Sequence, residues 1–456
     1  MEGASTSRDI DRRDFLRWSA LAGAGLLASA CSPKPWVGHV GAGLTGTEST
    51  GSGDNLVFSF GPEDTGSLTK LIAKFNGSSD RGFTVQYREM PADSGQYFDK
   101  LRTEFQAGGG VIDVIGGDVV WPSQFAANGW IEDLSSLFDD EMRGQFLEVP
   151  IVANTYKDKV YGVPWFTDAG MFYYRKDLLE KAGAEVPRTW DQVVDIARKI
   201  VDDGDATDGI VFQGAAYEGG VCNGAEHIWG SGGDILARDD LSKVVIDSEE
   251  SAAGLETERM LVEEGIAPGS VAVYKEQESY TAFLGGDYVF VRHWPYMYGI
   301  AADPTVSSVK PEQLGVAPIP TENEGDESFS ALGGWNFFIS AASTKKEQAW
   351  EFIRFMTEES SQRDFAVNGG YLPTRSSMYE DKQLLEKQPA VELAKEVTSH
   401  ARPRPTHPFY SDMSLALSKG FNGCLKGAAS PSTTVSDLNS ELQRLADLGE
   451  TIFDVA

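Results

Sequence analysis

The chain has 456 residues, of which 41% are hydrophobic and 24% charged, the proportions of an ordinary globular protein. Its formal net charge is −30, which excludes a general attraction to nucleic-acid phosphates and argues against a face lying flat on anionic lipid. Five histidines and three cysteines show no metal-ligand spacing and no Cys-x-x-Cys, so no metal site is expected.

The first residues read as an export address. A charged stretch with Arg12, Arg13, Phe15 and Leu16 precedes an apolar run, Trp18 to Ala30, of 13 residues. A membrane-spanning helix needs about 20, so residues 1–30 are expected to be a signal peptide. The paired arginines resemble a twin-arginine signal, with Asp11 where that pattern has Ser or Thr; export by the Sec route is the alternative. Leu27-Ala28-Ser29-Ala30-Cys31 resembles a lipobox, so Cys31 is the expected lipidation site. Residues 31–54 are then the lipidated Cys and a Gly/Ser/Thr-rich linker that cannot bury enough apolar surface to fold.

About 400 residues remain, enough for two sizeable domains. Leu56–Phe60 predicts a buried strand. Leu68, Leu71, Ile72 and Phe75 predict a helix, and Phe83, Val85 and Tyr87 alternate as in a strand. Phe98, Leu101 and Phe105 share a helix face, and residues 111–116 predict another strand. This strand–helix alternation is the signature of an α/β sheet covered by helices. Thr189 predicts an N-cap for a helix striped by Trp190, Val193, Val194, Ala197 and Val201, followed by a strand over 209–212. Further stripes run through Ala349, Phe352, Ile353 and Met356, and through Val435, Leu438, Leu442 and Leu445.

In open α/β sheets, ligands lie beyond the carboxyl ends of the strands. Those positions hold a carboxylate or an aromatic residue again and again: Glu63 and Asp64, Asp118 and Trp121, Asp168, Tyr217 and Glu218, then His293, Trp294 and Tyr296. Trp121 and Trp130 are expected to pack a lobe rather than meet a ligand. An oxidising compartment permits a disulfide between Cys222 and Cys424; two buried free thiols are the alternative.

Several ordered motifs carry a family resemblance: Gly117-Asp118-Val119-Val120-Trp121, Tyr173-Tyr174-Arg175-Lys176-Asp177, Gln213-Gly214-Ala215-Ala216-Tyr217-Glu218, Trp294-Pro295, Gly333-Gly334-Trp335-Asn336, Gly370-Tyr371-Leu372-Pro373 and Arg402-Pro403-Arg404-Pro405. Over nearly all of residues 55–456 the chain resembles an extracellular solute-binding lipoprotein of a carbohydrate ABC importer, of the maltose/trehalose type and most similar to the α-glucoside branch. The resemblance implies a two-lobed type II periplasmic-binding-protein fold, closing on its ligand. It places the N-terminal lobe at 55–164 plus 318–345 and the C-terminal lobe at 165–317 plus 346–456. The crossings fall near 164–167, 317–320 and 343–346.

The resemblance also implies roles. Glu63, Asp118 and Asp168 would accept sugar hydroxyls. Trp294, Tyr296 and Trp335 would stack on or line the pocket, Gly334 would offer its backbone N–H, and Arg404 would close the site. Glu218 and Tyr217 are further candidates, with Asp64 a substitute for Glu63. Carboxylates, flat aromatic faces and a guanidinium fork are the chemistry a sugar requires. A small-molecule sugar, a permease and its ATPase are the implied partners, on a monomer anchored by lipid to the outer face of the cell membrane. No catalysis is expected, and so no cofactor. A binding protein for another class such as a polyamine, or an exported glycoside hydrolase with two carboxylates about 5–10 Å apart, are the alternatives.

Overall fold

A computed structural model describes residues 55–78, 81–238 and 240–453. The expected signal peptide, Cys31 and the linker lie outside the described residues. In chain order the first strands are β1 (Leu56–Phe60), β2 (Val85–Glu89) and β3 (Val114–Asp118). A short pair follows, β4 (Thr155–Tyr156) and β5 (Lys159–Val160), then β6 (Val163–Ala169) and β7 (Met171–Arg175). The remainder are β8 (Asp208–Val211), β9 (Tyr288–His293), β10 (Leu314–Ala317), β11 (Ser330–Ile339), β12 (Leu372–Pro373) and β13 (Ala401–Arg402).

These strands form two main sheets. The larger has the order β12-β6-β11-β3-β1-β2, with β13 pairing on β11; the smaller has the order β10-β7-β9-β8. The β1, β2 and β3 pairings are parallel, as the alternation with helices demands. Long β11 runs antiparallel to both β3 and β6, so it stitches a distant segment into the first sheet. The chain passes from the larger to the smaller sheet at Gly170, between β6 and β7. It returns between β10 and β11.

Local chemistry explains most elements. Thr189 caps the Trp190–Asp202 helix by accepting from the Gln192 N–H at 3.3 Å, and Trp190, Val193, Val194, Ala197 and Ile200 are its buried face. Ile200 takes the place expected of Val201, which is only half-buried. Asp93 caps the Ser94–Gln106 helix in the same way, through the Gln96 N–H at 3.0 Å. The third strand begins later than the apolar run predicts. Val111 is 61% exposed after three glycines of positive φ, and only from Val114 does the chain pair with β1.

One limit departs from expectation. The helices Lys346–Thr357 and Glu359–Gly369 do not enter the second lobe at residue 346. Phe352 packs on Phe58 and Phe75 of the first lobe, each with ring centroids 5.3 Å apart, and Phe365 stacks on Trp165 at 5.0 Å. Burial of these faces holds both helices on the larger sheet. The Pro389–Ser399 helix instead buries Val391, Ala394 and Val397 in the core of the smaller sheet. The helices Tyr410–Leu425 and Pro431–Phe453 share a separate apolar core with the Glu218–Gly230 helix.

No disulfide joins the two cysteines of the described residues, which take the second of the two states the sequence leaves open. Cys222 and Cys424 are free, buried thiols. Both lie in that shared core, on different helices: Cys222 on Glu218–Gly230 and Cys424 on Tyr410–Leu425. Burial pushes the Cys222 thiol up to about 12 and the Cys424 thiol up to about 11, so neither is a reactive thiolate.

Candidate functional site between the two sheets

The carboxyl ends of β1, β3 and β6 bring three expected carboxylates towards the smaller sheet. Asp118 ends β3 and is buried. It accepts from Ser94 Oγ at 2.8 Å and the Val120 N–H at 3.3 Å. Asp168 lies on β6, buried, with Oδ1 lacking any hydrogen-bond partner. Burial raises the pKa of both carboxyls, that of Asp168 well above the usual range, because desolvation disfavours the charged form. Arg404 opposes the rise at Asp118, and Arg292 opposes it at Asp168.

Arg404 joins the two sides. Its Nη2 donates to the Leu332 carbonyl at 3.0 Å and stands 3.6 Å from Asp118 Oδ1, both on the larger sheet. Its Nη1 is paired with Glu218, the first residue of the Glu218–Gly230 helix beside the smaller sheet. Glu218 also accepts from Tyr410 Oη at 2.5 Å and from Ser414 Oγ. Arg404 is 4% exposed, and its Nε has no partner.

The aromatic residues fill the space between. Trp294 follows β9, and its indole N–H donates to Glu276 Oε1 at 3.3 Å. The Arg292 guanidinium lies 4.0 Å over its ring. Gly333 makes room for that ring: a Cβ there would stand 2.9 Å from Trp294 Cζ3 and 3.0 Å from Asp168 Cβ. Tyr296 stacks on Tyr371 at 6.0 Å and meets His293 edge-on at 5.2 Å. Its hydroxyl feels Glu276, Asp64, Tyr280 and Asp168, so both sides converge on it. Trp335 pairs in register with Asp118, half-buried, stacked on Tyr97 at 6.1 Å and edge-on to Trp121 at 5.5 Å. Trp121 and Trp130 pack within the first lobe, as expected.

Two candidates have other duties. Both Glu63 oxygens are spoken for: Oε1 accepts from the Thr65 N–H at 2.8 Å and from Tyr371 Oη at 3.1 Å, and Oε2 from the Leu68 N–H at 3.0 Å. Glu63 thus fastens the start of the Ser67–Gly77 helix, and the neighbouring exposed carboxylate Asp64 is close enough for its charge to raise the pKa of Tyr280 and Tyr296. Gly334 has φ +117°, and a Cβ there would lie 2.5 Å from the Phe166 carbonyl oxygen. Its own carbonyl accepts from the Val119 N–H at 3.1 Å. Glycine is needed here because backbone passes close to backbone.

Sequence reasoning missed Glu276, Arg292 and Glu226. Glu276 opens a helix rather than ending a strand. Arg292 follows the apolar run Tyr288–Val291 within β9, and a charge inside a buried strand was the available signal. Its guanidinium forks onto Glu226 at 2.8 and 2.6 Å, and Glu226 Oε1 also accepts from the Ala331 N–H at 2.8 Å. This buried pair ties β9, the Glu218–Gly230 helix and β11 together beneath Trp294.

The assembled groups can accept hydrogen bonds from several hydroxyls and offer flat apolar faces, with two guanidinium groups balancing part of the negative charge. Two sheets with such a polar, aromatic-lined site between them define a receptor that grips a small solute. The chain belongs to the bacterial extracellular solute-binding protein family, whose model matches residues 61–363. It is a solute-binding receptor of an ABC transporter, with the extracytoplasmic location of that family. It is similar to the "Probable ABC transporter-binding protein" of Deinococcus radiodurans, 31% identical over 81% of this chain and 88% of that one. Among solved structures it resembles the maltose-bound MalE3 of T. maritima. The two are 35% identical with a TM-score of 0.80, covering 86% of this chain and 99% of that one. It also resembles a solute-binding protein of Thermotoga lettingae bound with α-D-tagatose, at 25% identity and a TM-score of 0.76, with 86% and 99% covered.

Proposed function

We propose that this chain is the sugar-capturing receptor of an ABC importer, binding an α-linked disaccharide of the maltose or trehalose type between its lobes. The observation that carries this reading is Arg404, which spans Asp118 and Glu218 from opposite sides of the cleft while Asp168 and Trp294 face the same space. Unpaired Asp168 Oδ1 and Arg404 Nε supply an acceptor and a donor where sugar hydroxyls would sit. Trp294 supplies the flat face for a pyranose ring. The likeness to a maltose-bound protein supports the same ligand class.

Sugar binds first to one lobe, and closure adds the contacts of the other. Ligand shifts the population by its differential affinity for the closed state, and the closed form is what a permease reads. The lobes are set as the sheets divide them, with crossings at Gly170 and between β10 and β11. Cys31 carries the lipid anchor, and residues 32–54 are the leash that lets a membrane-held monomer reach its permease.

Calorimetry of the mature chain against maltose, trehalose, lactose, glucose and spermidine tests the reading. An α-linked disaccharide binds most tightly. Asp168→Asn and Trp294→Ala each weaken it at least tenfold, a loss of about 1.4 kcal/mol. Binding of spermidine alone, release of glucose from the disaccharide, or unchanged affinity in both variants overturns it. Labelling with radioactive palmitate, abolished by Cys31→Ala, tests the anchor.

A further inference from the structure

Glu276 stands where three of the aromatic candidates meet. Its Oε1 accepts from the indole N–H of Trp294 at 3.3 Å. The Tyr217 hydroxyl, buried and without a hydrogen-bond partner, lies beside it. A Cβ at Gly219 would stand 2.2 Å from Tyr217 Oη and 2.9 Å from Glu276 Oε1, so only a glycine leaves room for both. Burial raises the pKa of Tyr296, and Glu276 is the largest of the charges that add to the rise.

The backbone of Glu276 is fixed as well. It opens the Glu276–Leu284 helix, where the Lys275 N–H donates to Glu278 Oε2 at 3.0 Å and Ser279 Oγ donates to the Glu276 carbonyl at 2.9 Å. The same carbonyl meets His293 Nε2 at 3.2 Å, and His293 is the residue before Trp294. The carboxylate is therefore anchored to its own helix and to the end of β9, and it reaches the indole from a separate element.

The other contacts of Trp294 do not set its orientation by themselves. The Arg292 guanidinium lies 4.0 Å from the ring centroid, and Gly333 borders the ring near Cζ3. A cation over a face and a wall at an edge tolerate rotation of the ring, because the second side-chain torsion of tryptophan has a broad energy well. The N–H bond to Glu276 is directional, so it selects one setting of the indole plane. A flat face set in advance spares the ligand the cost of ordering it on binding.

We infer that Glu276 is a positioning residue of the site, setting the plane of Trp294 for a sugar ring and acting through that indole rather than by touching the ligand. The inference rests on the sugar-receptor reading above and deepens it. What the position requires is an acceptor. A glutamine keeps one for the indole N–H, and its amide N–H can donate to Tyr217 Oη. An alanine leaves both the indole and the tyrosine hydroxyl without a partner.

A double-mutant cycle in the mature chain tests it, read by calorimetry with maltose and trehalose. Glu276→Ala weakens binding about tenfold, the effect of losing a hydrogen bond to a charged acceptor, and Glu276→Gln stays within about threefold of the wild type. In a Trp294→Phe background, which keeps an aromatic face without the N–H, Glu276→Ala changes affinity by less than about twofold, because the two residues act as one unit. A tenfold loss that persists in that background shows a direct contact with the sugar and overturns the inference; so does a Glu276→Gln loss equal to that of Glu276→Ala. A second readout needs no ligand. In chain labelled on tryptophan, NMR gives the indole N–H resonance of Trp294, assigned by its disappearance in Trp294→Phe. That resonance moves upfield in Glu276→Ala and holds its place in Glu276→Gln; an unmoved resonance in Glu276→Ala overturns the inference even where a variant binds too weakly for calorimetry. If the wild type binds neither sugar, the disaccharide reading falls, and the indole resonance still decides whether Glu276 sets Trp294.

Discussion

Replacing Arg292 by Met tests the buried pair beneath the site. The Arg292 and Glu226 side chains are 3% and 2% exposed. In the native chain Glu226 receives the guanidinium fork at 2.8 and 2.6 Å and the Ala331 N–H at 2.8 Å. Arg292→Met leaves a buried carboxylate with the Ala331 N–H as its remaining partner. Removing one member of such a pair costs about 3–5 kcal/mol, because the surviving charge is uncompensated. Glu226→Gln in the same chain neutralises that charge and keeps an acceptor for Ala331. The double variant is therefore more stable than Arg292→Met alone. Arg292→Lys restores the charge but not the fork, so it falls between the two. Urea denaturation of the ligand-free mature chain, followed by tryptophan fluorescence, reads these differences. A loss below about 1 kcal/mol for Arg292→Met, within the range of an ordinary surface change, refutes the argument. So does a double variant whose loss equals the sum of the single losses, since pairs in one network are not additive.

Glu258 gives a pH test. Burial, with a smaller contribution from Glu226, raises its pKa from an ordinary 4.5 to about 8. Between those values the native state holds a proton that the unfolded chain has released, so stability falls as pH rises, by about 1.4 kcal/mol per unit from this residue. Glu258→Gln removes that slope, and parallel denaturation series at pH 5 to 8 detect it; identical slopes count against the assignment. Lys275 pairs with Asp93 across the two sides of the cleft, its side chain 40% exposed and that of Asp93 16%. Such a pair contributes about 0.2–1 kcal/mol, so Lys275→Met weakens sugar affinity by at most about fivefold and flattens its salt dependence in calorimetric titrations. A Cys31→Ala chain kept free of reductant takes up two equivalents of iodoacetamide in urea and none when folded; protection in urea would restore the Cys222–Cys424 bridge.

Much of the candidate site was legible because strand ends are where an α/β sheet is expected to meet its ligand. Asp118, Asp168 and Trp294 needed only a correct reading of strands β3, β6 and β9, and Glu218 follows β8 closely. What sequence could not reveal was which of two neighbouring carboxylates the local backbone would consume. Glu63 and Asp64 are chemically alike, but Glu63 is placed to accept from Thr65 and Leu68 at the start of a helix. The limit at residue 346 failed for a related reason. The apolar stripe of Ala349, Phe352, Ile353 and Met356 says that a helix has a buried face, not which sheet covers it. Spacing was equally silent on Cys222 and Cys424, which share a core without forming a bond.

The placement of charge explains why the site can be both buried and acidic. Asp118, Asp168, Glu218 and Glu276 would repel one another if left to desolvate together, and burial already raises the pKa of Asp118, Asp168 and Glu276. Two guanidinium groups hold the set together from different directions. Arg404 enters from the segment after β13 and bridges Asp118 to Glu218, whereas Arg292 rises from β9 under Trp294 and opposes the burial of Asp168. Each arginine is anchored away from the shared space, Arg404 by the Leu332 carbonyl and Arg292 by Glu226. The acceptor atoms facing that space can then remain available for a neutral ligand's hydroxyls, and a lost arginine should weaken binding by raising the pKa of a neighbouring carboxyl as well as by removing a contact.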